Sequence, residues 1–248
     1  MEKIITKFSQ TKKGIAVLID PDKINNTNKL LSLIKKSEDA EVDYFFIGGS
    51  TVKRSDFEKT IKLLKNNTCI PVIIFPGSSE QLSSEADAIL FLSLLSGRNP
   101  DYLIGLHVRT AEEILQHKLE VIPTAYLLID GGTNSSVAYV SQTSPIPRSQ
   151  ISIVRKTALA GKFQGKKIIY LDAGSGARFS VPPTMIEEVY KLGLPVIIGG
   201  GIKSIKQIEL IHQAGANIAV IGNHLENDES LLEEIKVYKK NTKNQVAL

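Results

Sequence analysis

Two acidic residues that close apolar segments of the chain are the first candidates for chemistry. Asp20 ends GIAVLID (14–20), and Asp172 ends KIIYLD (167–172). A carboxylate that follows a buried apolar strand loses hydration, and proteins tolerate this loss when the group binds a cation or a hydroxyl. The alternatives are local: Asp20 would cap a turn, and Asp172 would bond to the glycine loop behind it. Asp130, in LIDGGTNSS, is typical of a simple turn and is left out of the predicted site.

Glycines follow three successive apolar segments in the second half of the chain. The segments are YLDAGSGA (170–177), VIIGGGIKS (196–204) and VIGN (220–223). Glycine lets the backbone approach a ligand closely and adopt positive φ, and the exposed N–H groups of such a loop can bind an anion. Ordinary turn chemistry explains glycine in any single loop of this kind. Three such loops in succession favour a phosphate site.

Short apolar runs alternate with segments of helical period along the chain. They are apolar throughout rather than alternating, as is typical of parallel strands buried on both faces. The runs lie at 14–20, 44–48, 71–75, 88–95, 124–129, 167–172, 195–200 and 217–222. Eight strands in 248 residues predict an α/β fold, a (β/α)₈ TIM barrel, with an open doubly wound sheet as the alternative. We expect residues 1–248 to form a single domain.

A barrel would explain why acids and glycines follow the strands. The carboxyl ends of barrel strands face the active site, and the loops after strands 7 and 8 often bind phosphate. The connection between strands 3 and 4, PGSSEQLSSEAD (76–87), is too short and polar for a crossover helix, so an irregular loop is predicted in place of the third helix. Elsewhere Phe57 and Ile61 have helical spacing, and Ser204 and Gln207 have the spacing of a capping box.

Composition excludes several classes of function. The net charge is +4 with no dense Lys/Arg block, so no nucleic-acid partner is predicted. The chain has no run of about 18 apolar residues, so no membrane span is predicted. The N-terminal MEKIITKFSQTKKG lacks an apolar signal core, and we expect a cytoplasmic protein. His107, His117, His212 and His224 lack metal-ligand spacing, so surface or packing roles are predicted for them.

The motifs together resemble those of the geranylgeranylglyceryl phosphate synthase family, whose bacterial relatives include the heptaprenylglyceryl phosphate synthases. LIDPDK, FIGGST, YLDAGSGA, IIGGGI and IGN occur in the order and spacing of that family, over about residues 14–224. Segments such as FFIGGST are more similar to the geranylgeranyl branch of the family than to the heptaprenyl branch. The resemblance implies a barrel without a regular third helix. It also implies transfer of a prenyl group from a polyprenyl diphosphate to sn-glycerol 1-phosphate, with release of diphosphate.

The resemblance also implies roles for individual residues. Asp20 matches the Mg²⁺-binding aspartate, and Ser50 matches the hydroxyl that assists the metal. Tyr170 and Asp172 match the residues that hold the glycerol hydroxyls, and they are the candidate catalytic pair. Many relatives carry glutamate at the position of Asp172. The glycerol loop and the phosphate cradle would be formed by Gly174, Gly176, Gly200, Gly201, Gly222 and Asn223.

Chemistry of this kind suits these groups. Mg²⁺ held by few protein oxygens would neutralise the diphosphate leaving group, and Asp172 would orient the glycerol hydroxyl or accept its proton. The prenyl chain needs an apolar groove, which residues 91–105 and the loop after strand 3 could supply, although apolar residues of this kind are more often core. We expect a homo-oligomer and, since the product is a lipid, transient contact with membranes.

Three alternatives remain open from the sequence. The same reaction could use a prenyl diphosphate of another length, such as heptaprenyl diphosphate. A phosphate-binding isomerase or lyase would share the glycine loops but would need a different acid–base set. A noncatalytic barrel that binds a phosphorylated metabolite is disfavoured, because carboxylates at the mouth repel an anion unless a cation is present.

Overall fold

Eight parallel strands close into a barrel in the computed structural model, which describes residues 2–24, 26–222, 225 and 230–246. Neighbouring strands in sequence are neighbours in the sheet, and β1 pairs with β8 to complete the ring. The strands are β1 (Gly14–Ile19), β2 (Tyr44–Ile47), β3 (Val72–Ile74), β4 (Ala88–Leu94), β5 (Glu120–Leu128), β6 (Ile168–Asp172), β7 (Val196–Gly199) and β8 (Ile218–Ile221). The TIM barrel predicted from the apolar runs is confirmed, and the open sheet is excluded.

Strand β5 begins earlier than predicted. The sequence indicated a start at Thr124, but the strand begins at Glu120 and continues through Pro123. Pro123 has no N–H to donate to the sheet. Its carbonyl oxygen still accepts a hydrogen bond from the Lys167 N–H at 2.8 Å, so the contact with the neighbouring strand is kept.

Helices surround the barrel and bury their apolar faces against it. On α3, Phe57 and Ile61 are fully buried, as their spacing predicted. Ser204 caps α8 by accepting from the Gln207 N–H at 3.4 Å, which confirms the predicted cap. The helices of the described residues are α1 (Ile4–Gln10), α2 (Thr27–Asp39), α3 (Arg54–Asn67), α4 (Leu106–Gln116), α5 (Ser136–Ser141), α6 (Ile151–Phe163), α7 (Pro183–Tyr190), α8 (Ile205–Gln213) and α9 (Ser230–Val246).

The connection from β3 to β4 contains no helix, as its polar composition predicted. One side of the barrel is therefore covered differently from the others. A π-helical turn at Asp101–Gly105 leads into α4 next to this side. Turns of this kind occur often at functional sites.

The interior of the barrel divides into a sealed end and an open end. At the amino ends of the strands, α1 closes the barrel: its Ile4 and Ile5 N–H groups donate to the Glu120 carboxylate at 2.7 and 2.9 Å. Phe8 of α1 is fully buried and meets the Tyr44 ring edge-on, with centroids 4.9 Å apart. Among the described residues, α1 thus covers the amino ends of the strands, while the carboxyl ends stay open. In the part of the chain that the structure describes, no helix is long and apolar enough to cross a membrane.

Candidate active site

A cavity of about 480 Å³ opens at the carboxyl ends of the strands. The predicted site residues that fall within the described ranges all line it: Asp20, Ser50, Tyr170, Asp172, Gly174, Gly176, Gly200, Gly201 and Gly222. Asn223, the remaining predicted phosphate contact, lies outside the described residues. The fold thus brings together residues that are up to about two hundred positions apart in the chain, because parallel strands end at the same rim.

Asp172 lies at the base of this cavity with both carboxylate oxygens occupied. It is the last residue of β6 and is 7% exposed. The Tyr126 hydroxyl donates to Oδ2 at 2.6 Å, and the Gly174 N–H donates to Oδ1 at 2.7 Å. The turn bond to the glycine loop is therefore present, but the carboxylate also faces the cavity. Asp172 therefore both forms the turn and presents its carboxylate to the cavity.

Burial changes the ionisation of this group. Desolvation raises the pKa of the Asp172 carboxyl, while the hydrogen bonds from Tyr126 and Gly174 lower it and offset part of the effect. The pKa values of the Tyr126 and Tyr170 hydroxyls are raised well above the usual value, first by burial and then by the nearby carboxylate. Both phenols are therefore neutral donors near neutral pH. A carboxylate with a raised pKa in a cleft is suited to accept a proton.

Three aromatic rings form the floor beneath Asp172. Phe75 stacks on Tyr170 with centroids 5.1 Å apart and meets Tyr126 edge-on at 5.8 Å. The Tyr170 and Tyr126 centroids are 5.5 Å apart. The Tyr170 hydroxyl reaches the level of Gly199, where a Cβ would lie 2.4 Å from it. Since Gly199 is the register partner of Asp172, Tyr170 and Asp172 lie side by side at the cavity, as predicted for the catalytic pair.

The glycine loops after β6 and β7 pack directly against each other. Gly200 has φ of +81°, and a Cβ there would lie 2.7 Å from the Asp172 Oδ1 and 2.6 Å from the Gly174 nitrogen. Gly201 has φ of +71°, and its Cβ would lie 2.7 Å from the Phe179 backbone. Side chains are excluded at both positions by conformation and by space.

These loops present donors to the cavity. The N–H groups of Gly200, Gly201 and Gly222 donate to no acceptor among the described residues. The N-terminus of α8, capped by Ser204, begins just beyond them, and Lys203 also lines the cavity. Unpaired amides, a helix N-terminus and an ammonium group suit a phosphate at this side of the mouth.

Asp20 also lies at the mouth, directly after β1, the strand that pairs with β8. Its Oδ2 lies 3.4 Å from the Lys23 Nζ, which is also 3.4 Å from the Ser175 Oγ on the loop after β6. A Cβ at Gly49 would lie 2.6 Å from the Asp20 Oδ1, so the carboxylate adjoins the segment that carries Ser50. No group of three or more His, Cys, Asp or Glu side chains suited to a metal occurs among the described residues. Asp20 and Ser50 can therefore supply only part of a coordination sphere.

Another part of the cavity is lined by apolar side chains and is called the apolar limb below. Phe91 and Leu92 of β4 line it, together with Tyr102 of the π-helical turn, and all three fall in the segment 91–105 that the sequence left open as groove or core. His107 of α4 stacks on Phe91 with centroids 4.0 Å apart and bonds through Nε2 to the Leu92 carbonyl oxygen at 2.7 Å. Leu106 and Thr110 of α4 line the cavity as well, as does Leu82 of the connection that has no helix.

The structure adds residues that the sequence did not reveal. Tyr126 lies within the run TAYLLI, and only its even-numbered spacing with Thr124 and Leu128 could have placed it inside the barrel. Gln81, fully buried in the loop after β3, donates to the Gly49 carbonyl oxygen at 2.7 Å and accepts from the Gly77 N–H at 2.9 Å. It thereby fixes the segment that carries Ser50. Nothing in its polar loop indicated this contact.

His107, His212 and Asp130 agree with the packing and turn roles predicted for them. His212 packs between α9 and β1, bonding to the Tyr238 hydroxyl at 2.8 Å and the Gly14 carbonyl oxygen at 3.1 Å. Burial lowers the pKa of His212 to about 4, so it is a neutral packing residue. Asp130 accepts from the Gly132 N–H at 2.8 Å in a local turn. His107 packs on Phe91 and also lines the cavity, whereas His224 lies outside the described residues.

Comparisons with known proteins agree with the fold. A geranylgeranylglyceryl phosphate synthase from Zunongwangia profunda is 45% identical over 230 residues, covering 92% of this chain and 97% of that protein. One from Pyrococcus furiosus is 38% identical over 238 residues, covering 95% and 94%. The crystal structure of (S)-3-O-geranylgeranylglyceryl phosphate synthase from Thermoplasma acidophilum, in complex with its substrate sn-glycerol-1-phosphate, matches with a TM-score of 0.89 and 32% identity over 95% of this chain and 96% of that chain.

The family resemblance inferred from the motifs is thus confirmed over nearly the whole chain. The sequence model described as the PcrB family matches residues 8–240, which include every strand of the barrel and both sides of its mouth. The chain belongs to the PcrB family.

Proposed function

We propose that this protein joins sn-glycerol 1-phosphate to geranylgeranyl diphosphate, giving 3-O-geranylgeranyl-sn-glycerol 1-phosphate and diphosphate. One observation carries the proposal: a single cavity holds an anion-binding side, a buried carboxylate and an apolar limb. A phosphorylated alcohol and an apolar chain can therefore meet at Asp172. The relatives named geranylgeranylglyceryl phosphate synthase, aligned over most of the chain, support the same reaction.

The glycerol phosphate would bind across the loops after β6, β7 and β8. We propose that its phosphate binds the amides of Gly200, Gly201 and Gly222, which donate to no acceptor among the described residues, close to the N-terminus of α8. Its hydroxyl end is then directed toward Asp172 and Tyr170 on the floor of the cavity. Fixing both ends of the nucleophile provides much of the rate enhancement, because the hydroxyl is held in line with the allylic carbon of the prenyl chain.

In the chemical step, the oxygen of the free primary hydroxyl forms a bond to the allylic carbon of the prenyl chain. The bond from that carbon to the diphosphate oxygen breaks, and diphosphate leaves with the bonding electrons. The hydroxyl proton moves to Asp172, whose raised pKa suits it to the role of base. Tyr170, a neutral phenol beside Asp172, helps to orient the glycerol hydroxyls.

We infer that the reaction depends on Mg²⁺, with Asp20 and Ser50 as the protein ligands. Mg²⁺ usually takes one or two carboxylates and completes its octahedron with water and substrate phosphates, so this sparse donor set fits. The ion would supply charge neutralisation for the leaving diphosphate. Asp20 is paired with Lys23, so this part of the mouth carries both a carboxylate and an ammonium group.

The apolar limb lined by Phe91, Leu92 and Tyr102 would hold the prenyl chain. A C20 chain is proposed on the likeness to the geranylgeranyl enzymes, and a heptaprenyl chain is the alternative that chain-length assays distinguish. We further propose a homo-oligomer. On α4 and the turn before it, Ile104, Val108 and Leu115 are 58%, 70% and 78% exposed, which is an apolar surface for a second copy to cover. Sedimentation equilibrium tests this proposal.

The setting of the enzyme stays a prediction. We propose that it acts in the cytoplasm and contacts membranes transiently when its lipid product leaves. Fractionation of cells that produce the protein, before and after addition of prenyl diphosphate, tests both parts.

The experiment for the main proposal is incubation with sn-glycerol 1-phosphate, Mg²⁺ and prenyl diphosphates of several lengths, with products identified by mass spectrometry. We expect the geranylgeranyl ether, and no product with sn-glycerol 3-phosphate or after chelation of the metal. Isomerisation or cleavage of the glycerol phosphate without prenyl transfer would favour the isomerase or lyase alternative. Binding without turnover on any donor would favour the noncatalytic alternative.

A further inference from the structure

Tyr126 is in contact with the proposed base but has no counterpart among the residues that the motifs identified. It lies in β5, on the inner face of the barrel, and its hydroxyl donates to the Asp172 Oδ2 at 2.6 Å. We propose that Tyr126 is a positioning residue that keeps the Asp172 carboxylate charged and aimed at the glycerol hydroxyl. This inference rests on the proposed function and adds a residue to its machinery.

The hydroxyl of Tyr126 is held in place by its surroundings. The residue is 4% exposed, and its ring lies against Phe75 and Tyr170. Its backbone pairs with Tyr170 on one side and with Leu94 on the other. A phenol fixed by two strands and two rings loses little further freedom when it donates, so it can direct the carboxylate more firmly than a flexible side chain could.

The bond also acts on the charge of Asp172. The groups that face this carboxyl are the Tyr126 hydroxyl from β5, the Gly174 amide from the following loop, the Tyr170 ring from β6 and the Gly200 backbone from the loop after β7. Burial raises the pKa of Asp172. Two hydrogen bonds lower this pKa, and the one from Tyr126 has the larger effect. Without that hydroxyl, a larger share of Asp172 would be protonated at a given pH and unable to accept the glycerol proton.

The test compares Tyr126→Phe with a matched control, Tyr44→Phe. Tyr44 is also 4% exposed on the inner face of the barrel, and its hydroxyl pairs with the Thr11 Oγ1 at 2.9 Å, but at the sealed end. For Tyr126→Phe we expect kcat to fall about 10- to 100-fold, the usual effect of losing a hydrogen bond to a charged group. We also expect its acid limb to move to higher pH and KM for sn-glycerol 1-phosphate to change little. Tyr44→Phe should leave all three unchanged.

A second readout does not depend on turnover. The carboxyl ¹³C resonance of Asp172, assigned by its absence in Asp172→Asn, should titrate at higher pH in Tyr126→Phe than in the parent protein. An unchanged titration together with a parent-like acid limb would overturn the inference and leave Tyr126 as a packing residue. If the parent protein catalyses no prenyl transfer, the proposed function fails, and the ¹³C titration alone still decides whether Tyr126 sets the charge of Asp172.

Discussion

Replacing Asp172 by asparagine should separate activity from stability in this protein. The side chains have the same shape, and asparagine can keep both observed contacts: its oxygen accepts from the Gly174 N–H, and its amide donates to the Tyr126 oxygen, which can rotate its proton away. The packing against Gly200 is also retained. The substitution therefore removes a charge and a proton acceptor while leaving the barrel intact.

The expected loss of activity follows from the role of the carboxylate. Loss of a general base lowers kcat by about 10²–10⁴-fold, and this should appear in the single-turnover rate. Binding of the prenyl diphosphate should be largely unchanged, because the Asp20 side of the mouth and the apolar limb are untouched.

Stability should change in the opposite direction. Folding raises the pKa of Asp172, so the folded state holds this proton more tightly than the unfolded state does. The contribution of Asp172 to stability is then fully present below its unfolded pKa and is lost as pH rises through the folded pKa. Above the folded pKa of Asp172 the parent protein carries a buried charge that Asp172→Asn does not. The variant should melt at a higher temperature than the parent, and by a margin that shrinks in acid.

Asp130→Asn is the matched control for this experiment. Asp130 also follows a barrel strand and also accepts a hydrogen bond from a glycine two residues later, at 2.8 Å, but it does not line the cavity. This variant should keep the parent rate. Parent-like single-turnover rates in Asp172→Asn, or equal losses in the two variants, would refute the assignment of Asp172 as the base.

Further predictions concern the rest of the mouth. Gly200→Ala should weaken binding of sn-glycerol 1-phosphate at least about tenfold and lower the melting temperature, because its Cβ would meet Asp172 and Gly174. Gly176→Ala has a similarly positive φ of +72° but open space around the Cβ, so only backbone strain of about 1–2 kcal/mol is expected; equal binding losses in calorimetry would show that contact is unimportant. Asp20→Asn should reduce Mg²⁺-dependent turnover about a hundredfold or more, since metal stabilisation of leaving-group charge is worth several kcal/mol. Its melting temperature should hardly change, because a partly exposed ion pair such as Asp20–Lys23 contributes little, and normal Mg²⁺-dependent rates would remove Asp20 from the metal site.

Strand periodicity explains why much of the site could be predicted. Parallel strands buried on both faces leave uninterrupted apolar runs, so the eight strands were visible in the sequence to within a few residues. Polar or glycine residues directly after such runs must lie at one rim. Asp20, Asp172 and Gly200 were therefore found together without any knowledge of their three-dimensional contacts.

Other parts of the site depend on contacts that sequence does not display. Tyr126 lies inside an apolar strand, where an aromatic residue is usually core, and only the register with β6 puts its hydroxyl on Asp172. Gln81 lies in a polar loop, and its contact with Gly49 is set by how that loop folds over the mouth. The start of β5 was hidden by Pro123, which the parallel ladder accommodates.

The most direct test of the account is a crystal structure of the protein with sn-glycerol 1-phosphate bound. We expect the phosphate on the amides of Gly200, Gly201 and Gly222, and a glycerol hydroxyl within hydrogen-bond distance of the Asp172 carboxylate. A phosphate bound elsewhere in the mouth, or a glycerol chain directed away from Asp172, would contradict it.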